Sequence, residues 1–477
     1  MCLRFSRSIP GAARQAIVPP SAGGRTVIHL LYQVPNEYTL NQILKTGQEV
    51  RTASSHLICT VGKFLGGGGQ GEVYQAKIGD DTVALKWYFP GSATREQLVA
   101  LEDLVRTGPP NEKFLWPMEL TKAAGVEGFG YVMPLRGQNY RGIVDLMKRR
   151  VDPTFRVLIT ASLQLAESYL QLHSKGLCYR DISFGNVFLD PKTGEARICD
   201  NDNVSVDGKA AGGVLGTPRF MAPEVVRGEK KPSANTDLFS LAVLLFYMLM
   251  MHHPLEGKKE SSIKCLDLPA MNRLYGIEPL FIFDAVDQSN SPDPNHHRNA
   301  LEYWPLYPQF LRDLFIRSFT QGMNNPAARV RESEWRAAMV RLRDSIVYCS
   351  QCHAESFYDA EFLKSNGKPA PCWSCHQDLL LPFRIRIGRN IVMLNHDTGL
   401  YPHHTDDSRL YDFSEPVAKV TRHPTNVTLW GLQNLSKARW VCTSAEGIIR
   451  EVEPGRNFPI ALGTKVSFGN TEGEIRR

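Results

Sequence analysis

The sequence has no apolar run long enough to span a bilayer. Its longest, from 238 to 251, falls well short of the roughly 20 residues a spanning helix needs and suits a buried helix instead. Dense blocks of lysine or arginine are also missing, and a formal net charge of +6 from 55 basic and 49 acidic residues is mild for 477 residues. Electrostatics therefore gives no reason to expect a nucleic-acid partner. A secretory disulfide pattern is absent as well, because four of the ten cysteines are grouped and the rest are scattered singly. With 43% hydrophobic and 22% charged residues, the composition is that of a folded chain of about two to four domains.

The first 36 residues contain no acid and carry Arg4, Arg7, Arg14 and Arg25 with Pro10, Pro19 and Pro20. This superficially resembles a transit peptide. Lacking a regular amphipathic pattern, residues 1–45 read as a disordered extension, or in part as residues ahead of the true start.

Beyond them, the chain carries in order the parts that phosphoryl transfer needs: a glycine flap, a cation, oxygen ligands for a metal and an oriented base. In Gly66-Gly67-Gly68-Gly69-Gln70-Gly71-Glu72-Val73, Gly66, Gly68 and Gly71 let backbone N–H groups approach phosphates where a side chain would intrude, and Val73 is placed to cover an adenine. Alone, such a cluster is more often a turn. Fifteen residues after Gly71, however, Lys86 ends the strand-like Thr82-Val83-Ala84-Leu85, which would aim its ammonium at phosphates rather than leave it a surface solubiliser. Its partner is expected on the next helix, opened by a capping box at Thr94-Arg95-Glu96-Gln97 and stopped by Gly108-Pro109-Pro110. Leu98, Leu101 and Val105 mark the apolar face. Glu102, four residues after Leu98 and three before Val105, is preferred to Glu96 as that partner.

Tyr179-Arg180-Asp181-Ile182-Ser183-Phe184-Gly185-Asn186 supplies a base, Asp181, and a metal-binding amide, Asn186. Turn capping is the bland alternative. It loses ground because helical apolar spacing over 153–173 precedes the loop and a strand over 187–189 follows it. Asp200, at the end of the strand-like 196–199, is expected to be the principal magnesium ligand, with Asp202 a second candidate. Gly130-Tyr131-Val132-Met133 followed by Pro134-Leu135-Arg136-Gly137 fits a hinge, with Met133 as gatekeeper and Arg136 among the nucleotide contacts; Pro134 keeps the carbonyl that adenine would need.

These motifs resemble the protein kinase family over roughly 56 to 345. The resemblance implies a two-lobed α+β kinase domain over 46–345, with its first lobe ending near 136, that uses ATP and Mg2+. Gly216-Thr217-Pro218-Arg219-Phe220-Met221-Ala222-Pro223-Glu224 resembles the segment that docks a peptide. It implies protein substrates, Ser/Thr hydroxyls as acceptors and Thr217 as a docking residue. By the same resemblance Asp237 anchors the catalytic loop, Arg329 pairs with Glu224, and Arg180 can meet a phosphorylated activation segment. Two departures stand out: Asp200-Asn201-Asp202 replaces Asp-Phe-Gly, and Ser183 replaces a lysine. They leave a catalytically weak nucleotide-binding scaffold as the alternative.

Cys349-Ser350-Gln351-Cys352 and Cys372-Trp373-Ser374-Cys375, nineteen residues apart, have the spacing of a structural Zn2+ site. A zinc ribbon is expected over 346–380, with a redox pair as the alternative. His353 and His376 flank the knuckles and read as surface residues. Zinc thiolates imply a reducing, cytoplasmic setting. Over 381–477, short strands between Gly, Asn and Pro turns suggest a β-sandwich. Gly388-Arg389, the Leu435-Ser436 region with Trp440, and 462–469 resemble a forkhead-associated domain, although Tyr401-Pro402-His403-His404 occupies the place of its phosphate-gripping Ser-x-x-His. The order of parts resembles bacterial kinases of tellurium-resistance-associated stress systems. That implies a PP2C-type phosphatase and a von Willebrand A protein as partners.

Overall fold

The chain before residue 135 forms six antiparallel strands in a computed structural model that describes residues 42–208 and 215–477. Up to residue 41, the expected N-terminal extension lies outside the described residues. All that follows concerns the unit Lys45–Arg477.

The strands are β1 (Glu49–Thr52), β2 (Ile58–Gly67), β3 (Gly71–Ile78), β4 (Asp81–Tyr88), β5 (Glu119–Lys122) and β6 (Gly130–Pro134). They close into a barrel in the order β1-β2-β3-β4-β6-β5. β4 lies between β3 and β6 and is buried from Val83 to Tyr88, and Lys86 stands opposite Val73 on one side and Tyr131 on the other. Lys86 is thereby held in the buried stretch of a strand that is paired on both sides.

Helix α1 (Arg95–Thr107) starts where the Thr94 hydroxyl accepts from the Gln97 N–H at 3.2 Å. It ends at Gly108, whose φ of +69° a side chain would resist and whose N–H reaches the Leu104 carbonyl. Beyond the barrel the chain is mainly helical. Ala234–Met250 is apolar almost all round and buried from Thr236 onward, so it forms the centre of this part. It packs on Phe155–Ser174, which in turn packs on Glu332–Asp344. One continuous apolar core joins the barrel to these helices.

A hairpin of Ile346–Tyr348 and Glu355–Phe357 carries the first cysteine knuckle. After it, a six-stranded and a four-stranded antiparallel sheet share a separate core around Ile385, Leu400, Leu432, Trp440 and Val466. Among the described residues no helix is long and apolar enough to cross a membrane.

Candidate active site

Between barrel and helices lies a cavity of about 760 Å³, lined by Gly66, Val73, Lys86, Met133, Asp181 and Asp200 among others. The glycine loop borders it. A Cβ on Gly66 or Gly68 would meet no protein atom within 4 Å, so both positions leave room for a ligand. Gly71 is glycine for another reason, because a Cβ there would stand 2.1 Å from the Trp87 carbonyl oxygen of the neighbouring strand.

The loop 179–186 hangs from the buried Asp237, which accepts the Tyr179 N–H at 2.5 Å and the Arg180 N–H at 3.0 Å. Asp237 is held in turn by His173 Nε2 at 3.1 Å, while His173 Nδ1 meets Glu332. Burial works against the charged imidazole, but hydrogen bonds to the two carboxylates outweigh it and raise the His173 pKa to about 9. Arg180 has a left-handed backbone, with φ of 74°, and its Nε finds no partner among the described residues.

Asp181 faces the cavity. Its Oδ1 accepts from the Thr217 hydroxyl at 2.8 Å and its Oδ2 from Asn186 Nδ2 at 3.0 Å. Burial pushes its carboxyl up from the ordinary value and exceeds the opposing pull of those two donors. Ser183, in place of the family lysine, is buried.

Lys86 Nζ lies 2.8 and 3.0 Å from the two Asp202 oxygens and 3.5 Å from Asp200 Oδ1. Burial disfavours its ammonium, yet the charges of Asp202 and Asp200 hold its pKa above the usual lysine value. Two expectations change here. Glu102 is not its partner: α1 buries Leu101 and Leu104, so Glu102, about 100° round the helix from Leu101, is exposed. The inward position one turn earlier belongs to Gln97, whose Nε2 donates to the Tyr88 hydroxyl at 3.1 Å and to the Asp202 carbonyl at 3.3 Å. Half of the expected capping box is therefore made, since Gln97 spends its side chain on the site.

Asp202 likewise does not face the cavity as a second metal ligand. Its side chain is wholly buried beneath β4, where it meets Lys86 and the Tyr88 hydroxyl. Asp200 does face the cavity, with its side chain 45% exposed and its backbone left-handed at φ 51°. Sequence reasoning missed Tyr88 and Gln97. The former was within reach, two residues from Lys86 on one strand face.

At the hinge, Met133 is buried and lines the cavity, and the Arg136 guanidinium stacks 3.7 Å from the Phe188 ring centre. Farther out, Arg329 Nη2 lies 2.8 Å from Glu224 Oε2, and the same guanidinium donates to the Gly322 and Asn235 carbonyls.

Compared with known proteins, residues 138–314 match the family model described as "Protein kinase domain". The chain contains a protein kinase domain. Its relatives include serine/threonine protein kinases. "Probable serine/threonine-protein kinase CCRP1" of Zea mays is 36% identical over 115 residues, covering 24% of this chain and 18% of the relative. "DNA damage-responsive serine/threonine-protein kinase RqkA" of Deinococcus radiodurans is 31% identical over 210 residues, covering 42% and 31%. "Putative protein kinase C delta type homolog" of Drosophila melanogaster is 40% identical over 95 residues, covering 19% and 14%. The chain thus spans less than a third of each relative's length.

A second candidate site lies apart from the cavity. The sulfurs of Cys349, Cys352, Cys372 and Cys375 lie within 4.8 Å of one another, with Cys349 to Cys375 and Cys352 to Cys372 both at 3.6 Å. Tetrahedral zinc with bonds of about 2.3 Å has sulfur–sulfur edges of about 3.8 Å, so the donor set fits the ion. His353 and His376 are exposed, and each closes its knuckle in a left-handed conformation by donating its N–H to the carbonyl of the first cysteine.

Proposed function

We propose that this chain is an ATP- and Mg2+-dependent kinase acting on Ser/Thr hydroxyls of protein substrates. The observation that carries the reading is the placing of Asp181, Lys86 and Asp200 around one cavity bordered by a glycine loop, with Asn186 directly behind, its Nδ2 on Asp181 Oδ2 at 3.0 Å. A scaffold has no chemical need for a base and metal ligands together. ATP is the proposed occupant, with Val73 and Met133 against its base, Arg136 at the hinge, Gly66 and Gly68 beside its phosphates, and Lys86 as their cation. Mg2+, when bound, neutralises charge on the transferred group; Asp200 and Asn186 offer the oxygen ligands that this hard cation takes. Asp181 accepts the proton of the acceptor hydroxyl or orients it, and burial raises its proton affinity toward that of a working base. Asp237 and the Arg329–Glu224 pair hold the loop and the docking segment around Thr217. The four cysteines hold one structural zinc in a ribbon over 346–380, since no position would be left open for chemistry.

We also propose a role in bacterial stress signalling in the cytoplasm, with a PP2C-type phosphatase and a von Willebrand A protein as partners. Its support is the layout of kinase and cysteine knuckles, together with a relative whose name is "DNA damage-responsive". The activity is tested with labelled ATP, Mg2+ and a generic protein acceptor. Transfer should fall by at least about a hundredfold in Asp181→Asn while ATP binding persists. Undiminished transfer by that variant would restore the scaffold reading.

A further inference from the structure

We propose that Asp202 is the positioning residue of the phosphate-binding lysine, taking the place of a glutamate on α1 and uncoupling that helix from the lysine's charge. The inference rests on the kinase reading above. Asp202 engages Lys86 Nζ through both oxygens, whereas Asp200 offers one at a longer distance and is half exposed. Every acid of α1, namely Glu96, Glu102 and Asp103, is exposed. The residue that α1 turns inward is the neutral Gln97, and it contacts Asp202 through the backbone carbonyl. The Tyr88 hydroxyl adds another donor to the Asp202 carboxylate. With donors on both oxygens and no place in the cavity lining, this carboxylate serves the lysine rather than a metal ion.

A buried carboxylate without a cation is costly, so the pair is mutually enforcing. Lys86 itself reaches the cavity, which keeps one side of its ammonium available to a phosphate. The arrangement changes what moves with what. Asp202 belongs to the turn Asn201–Asn203, directly after Asp200. The carboxylate that orients the cation and the one offered to the metal therefore ride on a single turn, which α1 touches through the neutral Gln97 rather than through a carboxylate.

The test measures ATP affinity by calorimetry, KM and kcat by transfer, and the Mg2+ concentration for half-activation, in the full chain. Asp202→Asn should weaken ATP binding and raise its KM by about tenfold, the loss of one charge-assisted hydrogen bond, at an unchanged Mg2+ half-activation. Adding Gln97→Glu to Asp202→Asn returns a carboxylate from α1 and should recover most of that affinity. Glu102→Gln should change neither quantity. An Asp202→Asn defect that excess Mg2+ repairs would make Asp202 a metal ligand and overturn the proposal. So would equal damage from Glu102→Gln. Should Asp202→Asn fail to fold, Tyr88→Phe removes one donor to the carboxylate and should raise the ATP KM more modestly; an unchanged KM would count against the proposal. Calorimetry repeated in the Asp181→Asn background reads the lysine without transfer, so a failure of the kinase reading is told apart from a failure of this one.

Discussion

Thr217 donates its hydroxyl to Asp181 Oδ1 at 2.8 Å, tying the segment before Ala222-Pro223-Glu224 to the loop 179–186. Together with Asn186 on Oδ2, it fixes the carboxylate by neutral donors that leave its charge intact. Thr217→Val should lower kcat by about tenfold, the worth of one hydrogen bond to a charged group, with ATP affinity preserved. Thr217→Ser should keep most activity. Steady-state kinetics on both variants checks this, and an unaffected Thr217→Val would mean the contact plays no part in turnover.

Asp200 carries the prediction about magnesium. Its carboxylate is open to the cavity, so Asp200→Ala should reduce Mg2+-dependent turnover by upward of about a hundredfold. The Mg2+ concentration for half-activation should rise, and raising Mg2+ should recover part of the loss. A Mg2+ titration of ATP turnover decides the matter, and full activity in Asp200→Ala would move the metal oxygens elsewhere.

The glycine loop separates packing from binding. Gly71→Ala forces a Cβ against the Trp87 carbonyl and should cost about 1–3 kcal/mol of stability, as overpacking does. Gly68→Ala meets no protein atom, so its melting temperature should stay unchanged and any effect should fall on nucleotide affinity. Thermal melts beside nucleotide titrations distinguish the two.

His173 links stability to pH. Its pKa is raised from the ordinary 6.5 to about 9, so its contribution is fully present below about pH 6.5 and fades as pH rises through 9. The loss amounts to up to about 3 kcal/mol. Denaturant unfolding at pH 6.5 and pH 9.5 should show the decline, and His173→Gln should flatten it. An equal slope in that variant would assign the decline to other groups.

Purified without chelator, the chain should contain one zinc, and Cys372→Ser with Cys375→Ser should remove it and lower the melting temperature by several degrees. Elemental analysis and thermal melts read both effects. Zinc retained by the double variant would remove these cysteines as ligands.

What the sequence made legible was local. The apolar, β-branched run at 82–85, the Thr94 cap and the Gly108 stop placed β4 and α1 correctly, because each depends on neighbours within a few residues. The spacing from Asp181 to Asn186 is likewise short enough for one loop to bring their side chains into hydrogen-bond contact. The errors came where distant parts of the chain set the outcome. The phase of α1 follows from Leu101 and Leu104 in the shared core, and reading it one residue late turned Glu102 inward. The inward swing of Asp202 follows from the left-handed backbone of Asp200, which its composition does not announce. The His173–Glu332 contact joins residues 159 apart, beyond any local pattern.

Phe155 opens the helix that leads toward the loop 179–186, and its ring meets Phe357 at 5.3 Å and Trp373 at 6.0 Å, with Tyr307 also against it. The Trp373 indole donates to the Glu355 carbonyl, and the Glu355 carboxylate accepts the Arg156 N–H at the start of that helix. Severing the chain after 345, where kinase resemblance ends, would strip two of these aromatic neighbours away and bare Phe155 and Tyr307 to water. Recombinant expression of the domain therefore has to carry the cysteine knuckles along, or it will yield a sticky, aggregating fragment.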